Sequence, residues 1–191
     1  MEAYRNSTVR RWRIVLAAML AALAMVLPAQ SLVYAQTLTE GQLRARFLLN
    51  FLRFTEWPGA TTSRPSGASL QLCVLGIGDP FDGALEELQG ATAAGHKISV
   101  RTHTSAEQAN ECNVLYVPDN ELRRMASARE AIGNRPVLIV GESEAILDRG
   151  GMIALRNVGQ RLAFIVNLAP ARRASLSFSP QMLHAAAEVL P

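Results

Sequence analysis

Cys73 and Cys112 are the only cysteines of the chain, and each lies in or at the edge of a short apolar segment, Leu70–Leu75 and Asn113–Val117. If they are bridged, the two segments must be close neighbours, because a disulfide needs Cα atoms within about 7 Å. Compartment decides whether a bridge is expected, and the N-terminus speaks to that. Residues 1–13 carry Arg5, Arg10, Arg11 and Arg13 against a single Glu2, an unbroken apolar run follows from Ile14 to Leu27, and Val33-Tyr34-Ala35 ends on small residues at −3 and −1. Those are the parts of a secretory signal. The run is shorter than the roughly 20 residues a membrane span needs. The reading is therefore a Sec-type signal peptide over residues 1–35, cleaved after Ala35, and a mature periplasmic domain over residues 36–191; an uncleaved anchor is the alternative. Arg10-Arg11 is a twin arginine, but Trp12-Arg13 replaces the apolar residue that usually follows. An oxidising compartment favours the bridge over two buried thiols, and closing a 39-residue separation stabilises by roughly 4 kcal/mol in the chain-entropy model.

Between and beyond the cysteines the pattern alternates. Strands are expected at Leu70–Leu75, Lys97–Thr102, Asn113–Val117 and Pro136–Val140, and helices at Asp79–Leu88, capped by Asp79 with Pro80 at its first position, and at Glu121–Ile132. Met152–Asn157 and Arg161–Asn167, joined by a tight turn, read as an antiparallel hairpin. A helical region from Leu168 and a final helix Pro180–Leu190 close the chain. Before all of these, Thr37 and Glu40 suggest a capping box for a helix carrying Leu43, Phe47, Phe51 and Phe54 as its apolar stripe and ending before Pro58. Residues 59–69, rich in Gly, Pro, Ser and Thr, form a linker. Strands separated by helices imply right-handed crossovers. The fold class is α/β: a single-domain, mostly parallel flavodoxin-like sheet with flanking helices and a C-terminal antiparallel hairpin at its edge. The expected bridge between the first and third strands favours the order 2-1-3-4.

Charge excludes one function class. The whole chain has 19 basic and 16 acidic residues. The leader takes four arginines and one glutamate, which leaves fifteen of each sign in residues 36–191. A neutral domain carries no nucleic-acid footprint. Reactive constellations are missing too. No C-x-x-C is present, and His96, His103 and His184 are scattered without metal-ligand spacing. There is no G-x-S-x-G elbow. Gly76-Ile77-Gly78 lacks the third glycine of a nucleotide loop, with Phe81 in its place, and Asp79 and Asp82 would repel phosphate there. No catalytic residue, metal or cofactor is expected. The segments that stand out are Asn50–Pro58, with Arg53, Phe54, Glu56, Trp57 and Pro58, and Phe164–Arg173, with Arg172 and Arg173. Trp57 beside a proline either packs over a loop or, with its arginines, belongs to an interface.

These segments carry a resemblance. Phe47-Leu48-Leu49-Asn50-Phe51 with Phe54 and Glu56-Trp57-Pro58, Leu72-Cys73-Val74-Leu75-Gly76 followed by Asp79-Pro80-Phe81, Cys112-Asn113-Val114-Leu115-Tyr116, Gly150-Gly151-Met152-Ile153, and Phe164, Asn167, Ala171, Leu176 and Ser179 occur in order along the mature chain. The sequence resembles the YfiR-like family of periplasmic regulators. Ser175 departs from the glycine common in relatives, and Leu147 and Ala154 stand where some relatives carry a second cysteine pair. The resemblance implies a non-enzymatic repressor of an inner-membrane diguanylate cyclase, or of a sensor kinase, acting through the periplasmic sensor domain and so lowering cyclic di-GMP and biofilm formation. It further implies possible sequestration by an outer-membrane peptidoglycan-binding lipoprotein, and a homodimer. Phe54, Trp57 and Pro58 are then the expected apolar contact patch, with Arg53 and Glu56 at its rim and Arg172 and Arg173 as further candidates. A periplasmic small-ligand module with its mouth at Gly76–Pro80 is the rival reading.

Overall fold

The computed structural model describes residues 38–58, 69–159 and 161–191. The expected signal peptide, Thr37, residues 59–68 of the expected linker and Gln160 of the hairpin turn lie outside the described residues.

Helix α1 (Glu40–Phe54) opens the described chain. Its cap is Thr39, not Thr37: the Thr39 side chain accepts from the Gln42 backbone N–H, and the Gln42 side chain accepts from the Thr39 N–H. The box is T-x-x-Q shifted by two residues. The buried face is also rotated from the expected stripe. Ala45, Leu48, Phe51 and Leu52 are buried, Leu43 and Phe47 are half-buried, and Phe54 is 36% exposed. Pro58 does not end the helix. Thr55 turns extended, and Thr55–Glu56 form β1, so sheet pairing terminates α1 before the proline can.

An eight-stranded sheet forms the centre. Its strands are β2 (Leu70–Leu75), β3 (Thr92–Ala93), β4 (His96–Thr104), β5 (Val114–Val117), β6 (Leu138–Gly141), β7 (Ile153–Val158), β8 (Arg161–Asn167) and β10 (Glu188–Leu190), in the order β10-β8-β7-β6-β5-β2-β4-β3. The four expected crossover strands therefore lie 2-1-3-4, as the cysteine argument required. Cys73 in β2 and Cys112 before β5 form a disulfide with Cα atoms 5.9 Å apart. The strands read as near-continuous apolar runs because both faces are covered. Leu72, Val74, Val114, Tyr116, Leu138 and Val140 pack with α1 in one core. The alternate residues Cys73, Leu75, Leu115, Val117 and Ile139 pack in a second core with Met125, Ala128 and Ile132. Those three belong to α2 (Met125–Ile132).

Several expected helices are shorter or absent. Residues 80–85 form successive turns, followed by a 3₁₀ turn, Glu86–Leu88. Asp79 does accept from the Phe81 and Gly83 N–H groups. Positive φ at Asp82 and Gly83 then stops any helix. A 3₁₀ segment, Asp119–Arg124, precedes α2 in place of one continuous helix. After α3 (Leu168–Arg173) and β9 (Ser177–Phe178), the last helix α4 spans only Pro180–Ala185. The chain bends at Ala186-Ala187, and Glu188–Leu190 is pulled into β10, which pairs parallel to β8. Here strand pairing overrides local helix propensity, and the hairpin β7–β8 is not the sheet edge because β10 lies outside it. A second, two-stranded sheet pairs β1 with β9 antiparallel, Thr55 opposite Phe178 and Glu56 opposite Ser177.

Candidate functional site

The β1–β9 ribbon brings the two segments singled out in the sequence together. Ser179 N–H donates to the Phe54 carbonyl at 2.9 Å, and Ser177 Oγ donates to a Glu56 carboxylate oxygen at 2.9 Å. The return from α3 into β9 is a tight helix end. Ser175 N–H donates to Arg172 O and Leu176 N–H to Ala171 O, the two bonds of a Schellman motif. Ser175 has φ +56°. This is the position where relatives were expected to hold glycine, and the geometry gives the reason.

On this ribbon the expected contact residues separate. Phe54 is exposed, as are Arg53, Glu56 and Pro58. Trp57 is not on the surface: it is 7% exposed and belongs to the α1-side core. Its Nε1 has no hydrogen-bond partner among the described residues. The surface patch thus reduces to Phe54 and Pro58 flanked by Arg53 and Glu56. Arg172 and Arg173 are exposed at the end of α3. Arg173 lines a separate cavity and does not join Phe54.

The Gly76–Pro80 loop, the mouth of a ligand site in the rival reading, sits where open α/β sheets bind ligands, beyond strand C-termini at the switch in strand order. A shallow groove there is lined by Ile77, Asp79, Pro80, Asp119 and Glu142. A side chain that sequence reasoning missed ties its walls together. Arg44 of α1 donates to Glu142 at 2.7 Å, Glu40 at 2.6 Å and the Pro80 carbonyl at 3.1 Å. Glu142 also accepts from the Asp119 N–H at 3.0 Å. One arginine and one glutamate therefore link α1 with the loops after β2, β5 and β6. Burial opposes the Arg44 charge, but Tyr116, Glu142 and Glu40 outweigh it and raise its pKa. The Tyr116 phenol is fully buried and unpartnered among the described residues. Burial first, then the Glu142 charge, pushes its pKa well above the ordinary tyrosine value. No sequence signal marks the Arg44–Glu142 pair, whose members are 98 residues apart. Among the described residues, no group of three or more His, Cys, Asp or Glu could hold a metal ion, and no helix is long and apolar enough to cross a membrane.

What results is an α/β domain whose distinctive parts are a disulfide at the β2–β5 seam, a clamped crevice and an exposed ribbon. The chain belongs to the YfiR/HmsC-like family, whose model matches residues 41–187. This is a family of regulators rather than enzymes. Among solved structures, the fold is similar to a conserved domain protein of Vibrio cholerae (14% identity, 80% of this chain and 60% of that one, TM-score 0.49). It is also similar to an ABC domain from Streptococcus pneumonia in complex with L-Trp (11% identity, 76% of this chain and 60% of that one, TM-score 0.49). The chain thus spans 60% of the length of each.

Proposed function

We propose that this protein is a periplasmic, non-enzymatic regulator that binds the periplasmic sensor domain of an inner-membrane signalling enzyme. The expected target is a diguanylate cyclase held inactive, so that cyclic di-GMP and biofilm formation fall. The observation that supports this reading is family membership across residues 41–187. The ribbon suits the role. Phe54 stands exposed on a backbone held by β1–β9 pairing and by the Ser179–Phe54 hydrogen bond, with Arg53 and Glu56 beside it. Aromatic side chains, phenylalanine among them, are enriched at interface cores, with polar groups at the rim. Repression needs only tighter binding to the partner's inactive state. Homodimerisation and capture by an outer-membrane peptidoglycan-binding lipoprotein belong to the same reading.

The test is a crosslinked pull-down of the tagged, exported protein from native envelopes. Capture of an inner-membrane protein with a periplasmic sensor and a cyclase output is expected. Phe54→Ala should lower that capture about tenfold or more, the scale of an anchor residue worth roughly 2 kcal/mol. Equal capture by the variant refutes the patch; absence of any membrane signalling protein refutes the regulator reading. N-terminal sequencing of the same material should begin at Gln36, and an intact Met1 would refute cleavage.

A further inference from the structure

A second polar site, unrelated to the ribbon, lies beside the start of β6. A cavity of about 180 Å³ is lined by Arg129, Arg135 and Arg173, with Asn134 between the first two in sequence, and by no aspartate or glutamate. The three arginines come from different places: the last turn of α2, the loop after it, and the last turn of α3. None takes part in an ion pair among the described residues. Arg44, Arg101, Arg124 and Arg156, by contrast, do find carboxylates, whereas these three, all exposed, line one cavity. The arrangement is also shaped. A Cβ on Gly150 would lie 2.9 Å from an Arg129 guanidinium nitrogen, so the missing side chain leaves room for that group against the backbone. Arg135 is steadied by donating to the Asn110 carbonyl at 3.0 Å, which uses only one of its N–H groups.

We infer that this cavity binds an oxyanion, a phosphate, sulfate or carboxylate group of a small molecule or of a lipid headgroup. Arginine's planar fork matches such groups with paired hydrogen bonds, and three cations lining one cavity that no carboxylate lines favour an anion there. Cations at helix C-termini also complement the helix dipole, which gives Arg129 and Arg173 a structural use. It gives none to Arg135, which lies beyond the end of α2. The inference does not rest on the proposed regulatory role.

The test follows the thermal melt of the exported protein in inorganic phosphate against chloride at equal ionic strength. Phosphate should raise the midpoint with the logarithm of its concentration, by about 3 °C near ten times the dissociation constant. The paired change Arg129→Gln with Arg173→Gln should remove this response. Arg46→Gln with Arg161→Gln, at two exposed arginines elsewhere, should keep it and controls for net charge. A purely structural role predicts that the paired change lowers the midpoint equally in both salts, and that outcome overturns the site. Sedimentation with phosphatidylglycerol vesicles separates the sources: pelleting that the paired change abolishes, with phosphate silent, assigns the oxyanion to a headgroup. Silence in both arms overturns the inference.

Discussion

Tyr116 shows how one side chain carries a pH dependence. Its hydroxyl is buried beside Arg44 and Glu142 with no hydrogen-bond partner among the described residues, and its ring packs tilted against Phe81 at 4.7 Å between centroids. Its folded pKa lies above the unfolded value of about 10. The neutral phenol therefore contributes stability that is complete below pH about 10 and is lost as pH rises towards the folded pKa. Tyr116→Phe should melt within about 1 kcal/mol of wild type at pH 7, since no hydrogen bond is broken. It should also lose much of the wild-type decline between pH 9.5 and 11. Melting curves across that range check it, and parallel declines would contradict the burial argument. Ser175 gives a second test at this scale. A left-handed backbone costs a non-glycine residue roughly 1–2 kcal/mol, partly offset by the greater freedom glycine has when unfolded. Ser175→Gly should raise stability by about 0.5–1 kcal/mol, read as a higher urea midpoint at unchanged slope.

Among elements, α1 shows where local pattern and tertiary packing disagree. Its apolar residues were legible, yet the stripe chosen from aromatics was rotated, because Phe47 packs only half-buried against Phe51 and Phe164 while Ala45 and Leu48 face the sheet. Close approach of neighbouring backbone limits side-chain size along the helix. Gly41 is the extreme case, since a Cβ there would sit 2.1 Å from the Phe81 carbonyl oxygen. Helix propensity alone predicts that Gly41→Ala stabilises by about 1 kcal/mol. The obstacle is backbone, which cannot swing aside, so overpacking should win with a net loss of about 1–3 kcal/mol. Urea unfolding decides between the signs, and a gain would mean that α1 can lift off the Asp79–Phe81 turn. The strands β1, β9 and β10 were not legible for a related reason. Two or three residues carry no periodicity, and each exists only because a partner distant in sequence offers it a ladder.

For the whole molecule, the sheet order was readable because two cysteines supply the long-range distance that periodicity lacks. The Arg44–Glu142 clamp was not, because an exposed-looking arginine on a helix gives no hint of a carboxylate 98 residues away. Of the expected contact residues, Phe54 and Pro58 are exposed while Trp57 is buried, the packing alternative that its place beside Pro58 left open. The disulfide acts at this largest scale, since its main effect falls on the unfolded chain. Joining Cys73 to Cys112 across 39 residues removes loop entropy worth about 4 kcal/mol. Both sulfurs belong to buried residues in the core beneath α2, so a dithiol reagent reaches them only when that core opens. Two results are expected. Cys73→Ala with Cys112→Ala should lower unfolding stability by about 2–5 kcal/mol, and reduction of the native protein should be slow in buffer but fast near the urea midpoint. Rapid reduction of the folded protein at low denaturant would show instead that the β2–β5 seam opens locally, and would move the bridge from a staple of the fold to a site that the surrounding redox state can reach.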